Sequence, residues 1–366
     1  MNKINRPGYI PQLDALRAIA VLMVIIFHWM PASHFLNRYM PHGILGVTLF
    51  FVLSGYLITG ILLQSKEMLS KGLPLKNAFI IFYARRSLRI FPVYYLFILL
   101  LLILHPAAIK PSLCWHVLYA SNIYFWLHNA FAAQLSHLWS LAVEEQFYFV
   151  WPAIILLTRR GRLPAVFISG IVVALIFRAM MYAPPNHMGR LLMPGSLDSF
   201  SIGALLAYGQ LYAPKWYVKL LSVKKSGFIL MTGLMIAAHI GLQFYTGQLM
   251  VLIFYYFFIS LFFFMLLLVV SVNAGKHWLS GLVLQNSALL YIGKISYGLY
   301  LFHLIIPNFN QLHLPSLLLA YSSSIILLLR FFLLITIASA SWYFFEKPIL
   351  ALKNNFDIKP EMQNSK

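Results

Sequence analysis

Charged residues are scarce in this sequence, and acidic residues are especially rare. Only 10% of the 366 residues are charged, and only eight are Asp or Glu. Soluble domains average about 25% charged residues, so this composition excludes an ordinary soluble domain and indicates a polytopic membrane protein. Cysteine occurs once, at Cys114, which excludes an intrachain disulfide and a metal site built from cysteines.

Apolar residues, in contrast, make up 61% of the chain and recur in runs that are long enough to span a bilayer. We therefore expect an all-α fold, a polytopic transmembrane helical bundle of about ten spanning helices. The expected spans are 13–30, 43–63, 91–106, 138–157, 164–183, 195–212, 227–244, 250–272, 288–307 and 316–345. The apolar piece 113–127 also contains His, Asn, Tyr and Trp, which predicts a position at the membrane interface.

The distribution of basic residues orients these spans. With a cytoplasmic N-terminus, 20 of the 27 Lys and Arg residues fall in segments on the inner side, and 3 fall outside. This asymmetry follows the positive-inside rule and predicts that both termini are cytoplasmic. It also explains the net charge of +19 by topology and contact with anionic lipids, without nucleic acid as a partner. We expect one integral-membrane domain, 1–348, and a short polar cytoplasmic tail, 349–366.

The first span carries charged and titratable side chains at both ends. Arg17 and His28 are separated by 11 positions, which places them on nearly the same helix face and roughly 16 Å apart along the axis. Ionisable residues inside spans mark functional sites by default, and a neutral imidazole can accept a proton from a hydroxyl. The spacing alone is equally compatible with a hydrogen-bonded histidine at a helix end. Asp14, three residues before Arg17, is interpreted as its ion-pair partner.

The fourth span contains two adjacent carboxylates, Glu144 and Glu145, which are costly to bury unpaired in a bilayer. Adjacent helical residues point about 100° apart. We therefore expect one carboxylate to face the groove of His28 and the other to pair with an arginine. His137 lies seven residues before Glu144 and shares its helix face.

Two arginines at the cytoplasmic start of the third span, Arg86 and Arg89, present guanidinium groups on one face, which suits phosphate. Arginines at this position also act simply as topology determinants. The small residue Ser54 suggests helix packing, and His303, near an outer helix end, is by itself typical of a structural histidine. We find no metal-ligand spacing among the histidines.

Six motifs in this order resemble the acyltransferase-3 family of bacterial inner-membrane O-acyltransferases, which modify cell-surface and exported glycans. They are Leu13-Asp14-Ala15-Leu16-Arg17 followed by ten residues and His28; GVTLFFVLSGYLIT at 46–59; RRSLRIFPVYY at 85–95; HLWSLAVEEQFYFVWP at 137–152; ISYGLYLFH at 295–303; and WYFFEKP at 342–348. The arginine–ten–histidine spacing together with SLAVEEQFY is the specific part of this resemblance.

The resemblance implies roles for individual residues. His28 is similar to the family's essential histidine with Arg17 as its motif partner, and Arg86 and Arg89 match arginines that engage acyl-CoA phosphates. The remaining matches are the acidic pair Glu144 and Glu145, the acid Glu346 two residues before Pro348, and the supporting residues Asp14, Ser54, His137, Ser140, Tyr297 and His303. Thr48 stands where the family usually has aspartate, which puts in doubt any role that requires a carboxylate there.

The resemblance also implies the reaction. It predicts a multi-pass protein of the bacterial inner membrane that transfers an acyl group, usually acetyl, from cytoplasmic acyl-CoA to a glycan or undecaprenyl-linked glycan. O-antigen and exopolysaccharide are the expected acceptors, and no tightly bound cofactor is expected. Some relatives append a periplasmic SGNH-hydrolase domain, so we expect this chain to complete transfer within its membrane part or with a partner. The alternatives are a succinyltransferase and a proton-coupled glycolipid transporter or flippase.

Overall fold

The computed structural model describes residues 10–132, 134–181, 188–244, 249–272, 283–306 and 323–356. All regular secondary structure in these ranges is helical, which confirms the all-α prediction. In chain order the helices are α1 (Pro11–Trp29), α2 (Phe35–Tyr39), α3 (His42–Leu69), α4 (Leu75–Leu104), α5 (Pro106–Ile109), α6 (Leu113–Val117), α7 (Ser121–His128), α8 (Leu138–Leu157), α9 (Leu163–Met181), α10 (Leu197–Tyr212), α11 (Lys215–Ser222), α12 (Lys224–Phe244), α13 (Leu249–Val272), α14 (Ser287–Lys294), α15 (Ser296–Phe302), α16 (Ser323–Ala340) and α17 (Lys347–Ala351).

The protein is a multi-pass membrane protein, because seven helical stretches of the described residues are long and apolar enough to cross a bilayer. These stretches are Pro11–Trp29, His42–Leu69, Leu75–Leu104, Leu138–Leu157, Arg160–Met181, Ile253–Val272 and Ile325–Phe356. Helices α11 and α12 meet at a bend of 79° and add an eighth span if the pair crosses as one.

The other two predicted spans are helical but shorter than one continuous span. The span predicted over 195–212 is α10, which has 16 residues, and the span over 288–307 is divided at Ile295 into α14 and α15. The predicted spans 164–183 and 316–345 run partly outside the described residues. The predicted interfacial piece, 113–127, forms the two short helices α6 and α7.

Helix α3 lies at the centre of the bundle and packs against α1, α8 and α10. Small residues allow α3 and α10 to approach with their backbones in contact, as is common between helices in membranes. A Cβ atom at Gly55 would overlap the carbonyl oxygen of Phe200, and one at Gly203 would overlap the carbonyl oxygen of Val52. The contact therefore requires glycine at both positions.

The substitution Gly203→Ala is expected to destabilise the protein by about 1–3 kcal/mol, because the added methyl group meets backbone that cannot rotate away. The measurement is the melting temperature of the purified protein in detergent. Gly60→Ala is the matched control, since a Cβ atom at Gly60 on α3 meets nothing within 4 Å. Equal melting temperatures for the two variants would contradict the close packing of α3 on α10.

A buried ion pair joins α9 to α10 and accounts for two of the charged residues in spans. Arg178 donates from Nη2 to Asp198 Oδ2 at 2.7 Å and from Nη1 to the carbonyl oxygen of Gly195 at 2.9 Å. Both side chains of the ion pair are buried. Removal of one partner from such a pair is strongly destabilising, so this pair has a structural role.

The C-terminal segment continues the last long helix. A π-helical segment, Ser341–Glu346, joins α16 to α17, and the helical turn Leu352–Phe356 packs against α4. The predicted polar tail, 349–366, therefore begins with ordered helical turns, while residues 357–366 lie outside the described residues.

Candidate active site

A cavity opens between α1, α3, α4, α8 and α15, and it encloses about 850 Å³ when the space at its mouth is counted. Its walls combine three arginines, two carboxylates, a group of hydroxyl-bearing side chains and an apolar surface. The polar wall consists of Arg17, Arg86, Arg89, Glu144, Glu145, Ser54, Ser140, Tyr148, Ser296, Tyr297 and Tyr300, and the apolar wall includes Val47, Phe50, Phe51, Leu53, Leu57, Ile90 and Leu141. The cavity thus gathers most of the predicted site residues.

The three arginines form a cluster of positive charge in this cavity. The charges of Arg17 and Arg86 both act on Arg89. Arg86 places its guanidinium carbon 4.6 Å from the centre of the Tyr148 ring, and Arg89 is exposed to the cavity. Asp14 pairs with Arg17, as the sequence spacing predicts, whereas Arg86 and Arg89 form no ion pair with a described residue. Two guanidinium groups are therefore available to an anionic ligand.

The two adjacent carboxylates do not separate as the sequence predicts. Both Glu144 and Glu145 line the cavity, and neither is within ion-pair distance of an arginine among the described residues. Glu144 accepts hydrogen bonds from the hydroxyl groups of Ser54 and Tyr148 instead, and Tyr148 Oη lies 3.0 Å from Ser54 Oγ. Hydroxyl donors from α3 and α8 therefore satisfy Glu144, whereas the charge of Arg86 acts on Glu145 without an ion pair between them.

His28 lies outside this cavity, at the end of α1, and it contacts a second histidine. Its Nδ1 atom is 3.0 Å from the carbonyl oxygen of Val24 and 3.1 Å from Nε2 of His303. His303 is fully buried, and its Nδ1 atom is 2.7 Å from the carbonyl oxygen of Tyr300. His28 and His303 therefore form a hydrogen-bonded pair that joins α1 to the end of α15.

The protonation of this pair follows from its acceptors. A carbonyl oxygen can only accept, so a neutral His303 donates its Nδ1–H to Tyr300 and keeps the lone pair on Nε2. His28 must then donate its own Nδ1–H, toward His303 or Val24. The lone pair of His28 remains on Nε2, which is the state that a general base requires.

Tyr300 and Ser140 line the cavity near the histidine pair. Ser140 Oγ and Tyr300 Oη are 2.5 Å apart and hydrogen-bonded to each other, and each lies 3.1 Å from the carbonyl oxygen of His137. The Tyr300 ring lies 5.7 Å from the ring of His303 and 5.6 Å from that of His137. Tyr300 thus lines the cavity and also contacts the rings of His303 and His137.

The remaining predicted residues take positions around the cavity. His137 is buried beside His303, with ring centres 4.9 Å apart, and its Nε2 atom is 3.2 Å from the carbonyl oxygen of Leu301. Glu346 is buried outside the cavity walls and accepts a hydrogen bond from Ser341 at 3.1 Å. Thr48 is buried in α3 and does not line the cavity either. Tyr297 does line it and donates to the carbonyl oxygen of Ile90 at 3.1 Å.

The site residues predicted from the sequence do not include Ser296, Tyr148 and Tyr300 of the cavity, and the two tyrosines carry a periodic signal. Tyr300 precedes His303 by three residues, and Tyr148 follows Glu144 by four, so each shares a helix face with a predicted residue. No group of three or more His, Cys, Asp or Glu side chains in the described ranges is arranged to hold a metal ion.

The fold and the site together define a multi-pass helical membrane protein with a basic cavity and an adjacent histidine pair. Residues 10–345 match the family model described as the acyltransferase domain, so the chain belongs to the acyltransferase-3 family. The resemblance carried by the six motifs is thereby confirmed.

Three curated relatives illustrate the family. The chain is 31% identical to the peptidoglycan O-acetyltransferase OatA of Listeria monocytogenes, over 95% of this chain and 56% of that protein. It is 34% identical to the putative peptidoglycan O-acetyltransferase YrhL of Bacillus subtilis, over 56% and 34%, and 30% identical to the O-acetyltransferase OatA of Staphylococcus aureus, over 83% and 51%. The chain spans about half the length of the curated relatives it matches, or less. No solved structure matches it.

Proposed function

We propose that the chain is a membrane O-acetyltransferase that transfers an acetyl group from cytoplasmic acetyl-CoA to a hydroxyl of a cell-surface glycan. The observation that carries the proposal is that two kinds of site lie next to each other, and we propose that they are the two ends of one path. A cavity with three arginines lies between the helices, and the His28–His303 pair lies just beyond its wall at Tyr300.

The donor end of the path is the arginine cluster. Arg86 and Arg89 have no carboxylate partner among the described residues, and guanidinium groups bind phosphates through charge-assisted hydrogen bonds. Arg17 and His28 lie roughly 16 Å apart along α1, so a donor held by its phosphates must extend a long arm to deliver its acyl group. The pantetheine arm of coenzyme A has this form. The charge distribution of the chain predicts that the arginine end faces the cytoplasm, where acyl-CoA is made.

The acyl end of the path favours a neutral acyl group. Near Tyr300 the cavity is lined by the uncharged Ser140 and Phe50, and the charge that acts on Tyr300 there is that of the carboxylate Glu144. A succinyl group would bring a carboxylate to this end without a cationic partner, and burial of an unpaired charge is costly. We therefore propose acetyl over succinyl.

Acetyl-CoA is accordingly expected to be used at least about tenfold more efficiently than succinyl-CoA, because one unpaired buried charge costs more than the roughly 1.4 kcal/mol that corresponds to this ratio. The measurement is kcat/KM for both donors with one acceptor and the purified protein. Similar values for the two donors would contradict the neutral acyl end.

The proposed reaction is a direct acyl transfer. His28 Nε2 removes the proton of the acceptor hydroxyl while the hydroxyl oxygen attacks the carbonyl carbon of the thioester. The new C–O bond of the ester forms and the C–S bond breaks. The coenzyme A thiolate leaves with the electron pair of the broken bond. His303 orients His28 through the contact at 3.1 Å, so His303 is a positioning residue. Tyr300 must shift for the thioester to reach the acceptor.

The acceptor is proposed to be a glycan outside the cytoplasmic membrane. The relatives from Listeria monocytogenes and Bacillus subtilis are named as peptidoglycan O-acetyltransferases, the second as a putative one. These names favour peptidoglycan over the O-antigen or exopolysaccharide that the sequence reasoning expected. A location in the bacterial inner membrane, and the use of an undecaprenyl-linked glycan, belong to the same proposal.

A strain that lacks the gene tests the proposal. Mass analysis of its purified peptidoglycan and other surface glycans is expected to show the loss of acetyl groups from one glycan, restored by the wild-type gene. An unchanged acetylation profile with an accumulated intracellular glycolipid would contradict the proposal and would favour the transporter.

A further inference from the structure

The proposed transfer steps give no role to Glu144, although this carboxylate lines the cavity. Two hydroxyl groups donate to the same atom, Oε1 of Glu144: that of Ser54 on α3, and that of Tyr148, which follows one helical turn later on α8. A carboxylate inside a membrane span is costly to keep, and such residues by default have a function. The partner that connects Glu144 to the arginines of the cavity is Tyr148.

Tyr148 is fixed at its hydroxyl end and carries an arginine on its ring. It is only 5% exposed, so the closely packed ring has little room to turn. The guanidinium carbon of Arg86, from α4, lies 4.6 Å from the centre of this ring. Tyr148 therefore links Glu144, at its hydroxyl group, to Arg86, at its ring face.

The contact between Arg86 and the Tyr148 ring is a cation–π interaction, which is strongest where water is excluded. It has two consequences for a ligand of Arg86. It restricts a long side chain that otherwise loses conformational freedom when it binds. It also holds the guanidinium group without a carboxylate, so that the positive charge stays available to an anion.

The hydroxyl groups account for the absence of a direct ion pair between Glu144 and Arg86 in the described part of the chain. Both residues line the same cavity, but the carboxylate is already satisfied by Ser54 and Tyr148. A direct ion pair would place this carboxylate in competition with a ligand phosphate for the guanidinium group. The arrangement therefore keeps Arg86 both restrained and unneutralised.

We propose that Tyr148 is a positioning residue that holds Arg86 for a phosphate of acetyl-CoA, and that Glu144 and Ser54 hold Tyr148 in place. The inference rests on the proposed function, because it takes acetyl-CoA as the donor. Glu144 then acts on donor binding through Tyr148. The competing role, proton transfer by Glu144 during the reaction, has a different kinetic signature.

The experiment measures steady-state kinetics of the full-length protein in lipid nanodiscs, with acetyl-CoA and then acetyl-pantetheine as the varied donor. Acetyl-pantetheine carries the same thioester without phosphates. The variants are Tyr148→Leu, Tyr148→Phe, Arg86→Gln and the double variant Tyr148→Leu/Arg86→Gln. Tyr83→Phe is the matched control, because the Tyr83 hydroxyl on α4 donates to the carbonyl oxygen of Phe149 on α8 at 2.7 Å, outside the cavity walls.

Tyr148→Leu is expected to raise the KM for acetyl-CoA by about tenfold, the worth of one cation–π contact in a site shielded from water. The kcat and the kinetics with acetyl-pantetheine should change little. Tyr148→Phe should raise the KM less, because it keeps the ring, and Tyr83→Phe should leave it unchanged. The double variant should match Arg86→Gln alone, because both substitutions act through one contact.

Three outcomes overturn this assignment. An unchanged KM in Tyr148→Leu would show that the ring does not contribute to donor binding. Effects that multiply in the double variant would show that Tyr148 acts independently of Arg86. An equal rise in KM for acetyl-CoA and acetyl-pantetheine would show that Tyr148 shapes the cavity and does not support a phosphate contact.

Two further variants test Glu144. Glu144→Gln keeps an oxygen that accepts from Tyr148 and Ser54, whereas Glu144→Ala removes it. We expect Glu144→Ala to raise the KM for acetyl-CoA and Glu144→Gln to raise it less, with little change of kcat in either variant. A loss of kcat by about 100-fold or more in Glu144→Gln, with an unchanged KM, would assign proton transfer to Glu144 and overturn the proposal.

The binding of coenzyme A without an acceptor separates this inference from the proposed function. Affinities that follow the expected order, in a wild-type protein that transfers no acetyl group, would contradict the proposed function alone. Acetyl transfer by the wild-type protein, with equal affinities of wild type and Tyr148→Leu, would contradict this inference alone. Melting temperatures identify a variant that does not fold, and Tyr148→Phe with and without Arg86→Gln then decides by the same comparison.

Discussion

The variant His28→Ala is expected to lose acetyl transfer by about 100-fold to 10,000-fold, the range that a positioned general base contributes. In the hydrogen-bonded pair of His28 and His303, Nε2 of His28 is the nitrogen that can accept the proton of the acceptor. No other histidine among the described residues contacts His303 at hydrogen-bond distance. The measurement is the rate of acetyl transfer from labelled acetyl-CoA by purified protein. The variant should keep the wild-type melting temperature, since His28 is only half-buried.

His128→Ala is the matched control for this variant. His128 is an exposed histidine at the end of α7, where its Nδ1 atom is 2.9 Å from the carbonyl oxygen of Tyr124. We expect it to retain wild-type transfer. Transfer by His28→Ala at the rate of the control would show that His28 is a structural residue at a helix end, the alternative that its spacing left open.

Replacement of Arg86 and Arg89 together by glutamine is expected to raise the KM for acetyl-CoA by about 100-fold or more. Each lost hydrogen bond to a phosphate costs about 1.5–3 kcal/mol, and each 1.4 kcal/mol is a factor of ten. kcat should change little, because these contacts bind the donor equally before and during the reaction. The measurement is steady-state kinetics with acetyl-CoA as the varied substrate.

Acetyl-pantetheine provides an internal control for the arginine variant because it carries the same thioester without phosphates. We expect wild-type and variant proteins to use it equally well. Arg162→Gln, which removes an exposed arginine outside the cavity, should leave both donors unaffected. An equal loss with acetyl-CoA and acetyl-pantetheine would contradict phosphate binding by the arginines and would indicate a defect of the cavity itself.

The fold was largely predictable because its determinants are local. Apolar runs and the asymmetry of basic residues identify helices and their directions without reference to neighbours. Interruptions of those helices were not predictable. The division at Ile295 follows a contact in which Gly293 meets the backbone of Asp14, and that contact joins elements almost 280 residues apart in sequence.

The site was predictable where its residues share one helix. Arg17, its partner Asp14 and the distance to His28 follow from the helical repeat of α1 alone. The contact between His28 and His303 joins positions 275 residues apart, so no spacing in the sequence could indicate it. The hydrogen bond from Ser54 to Glu144 was not predictable for the same reason, because Ser54 reaches Glu144 from another helix.

We propose that an acetyl group crosses the membrane from the arginine end of the cavity to an acceptor at His28. Reconstituted vesicles test it most directly, with labelled acetyl-CoA added outside and peptidoglycan strands enclosed in the lumen. Protein molecules whose arginine end faces outward are predicted to label the enclosed strands, while coenzyme A is released outside and His28→Ala gives no label. Label that appears only when donor and acceptor share one side of the membrane would contradict the claim.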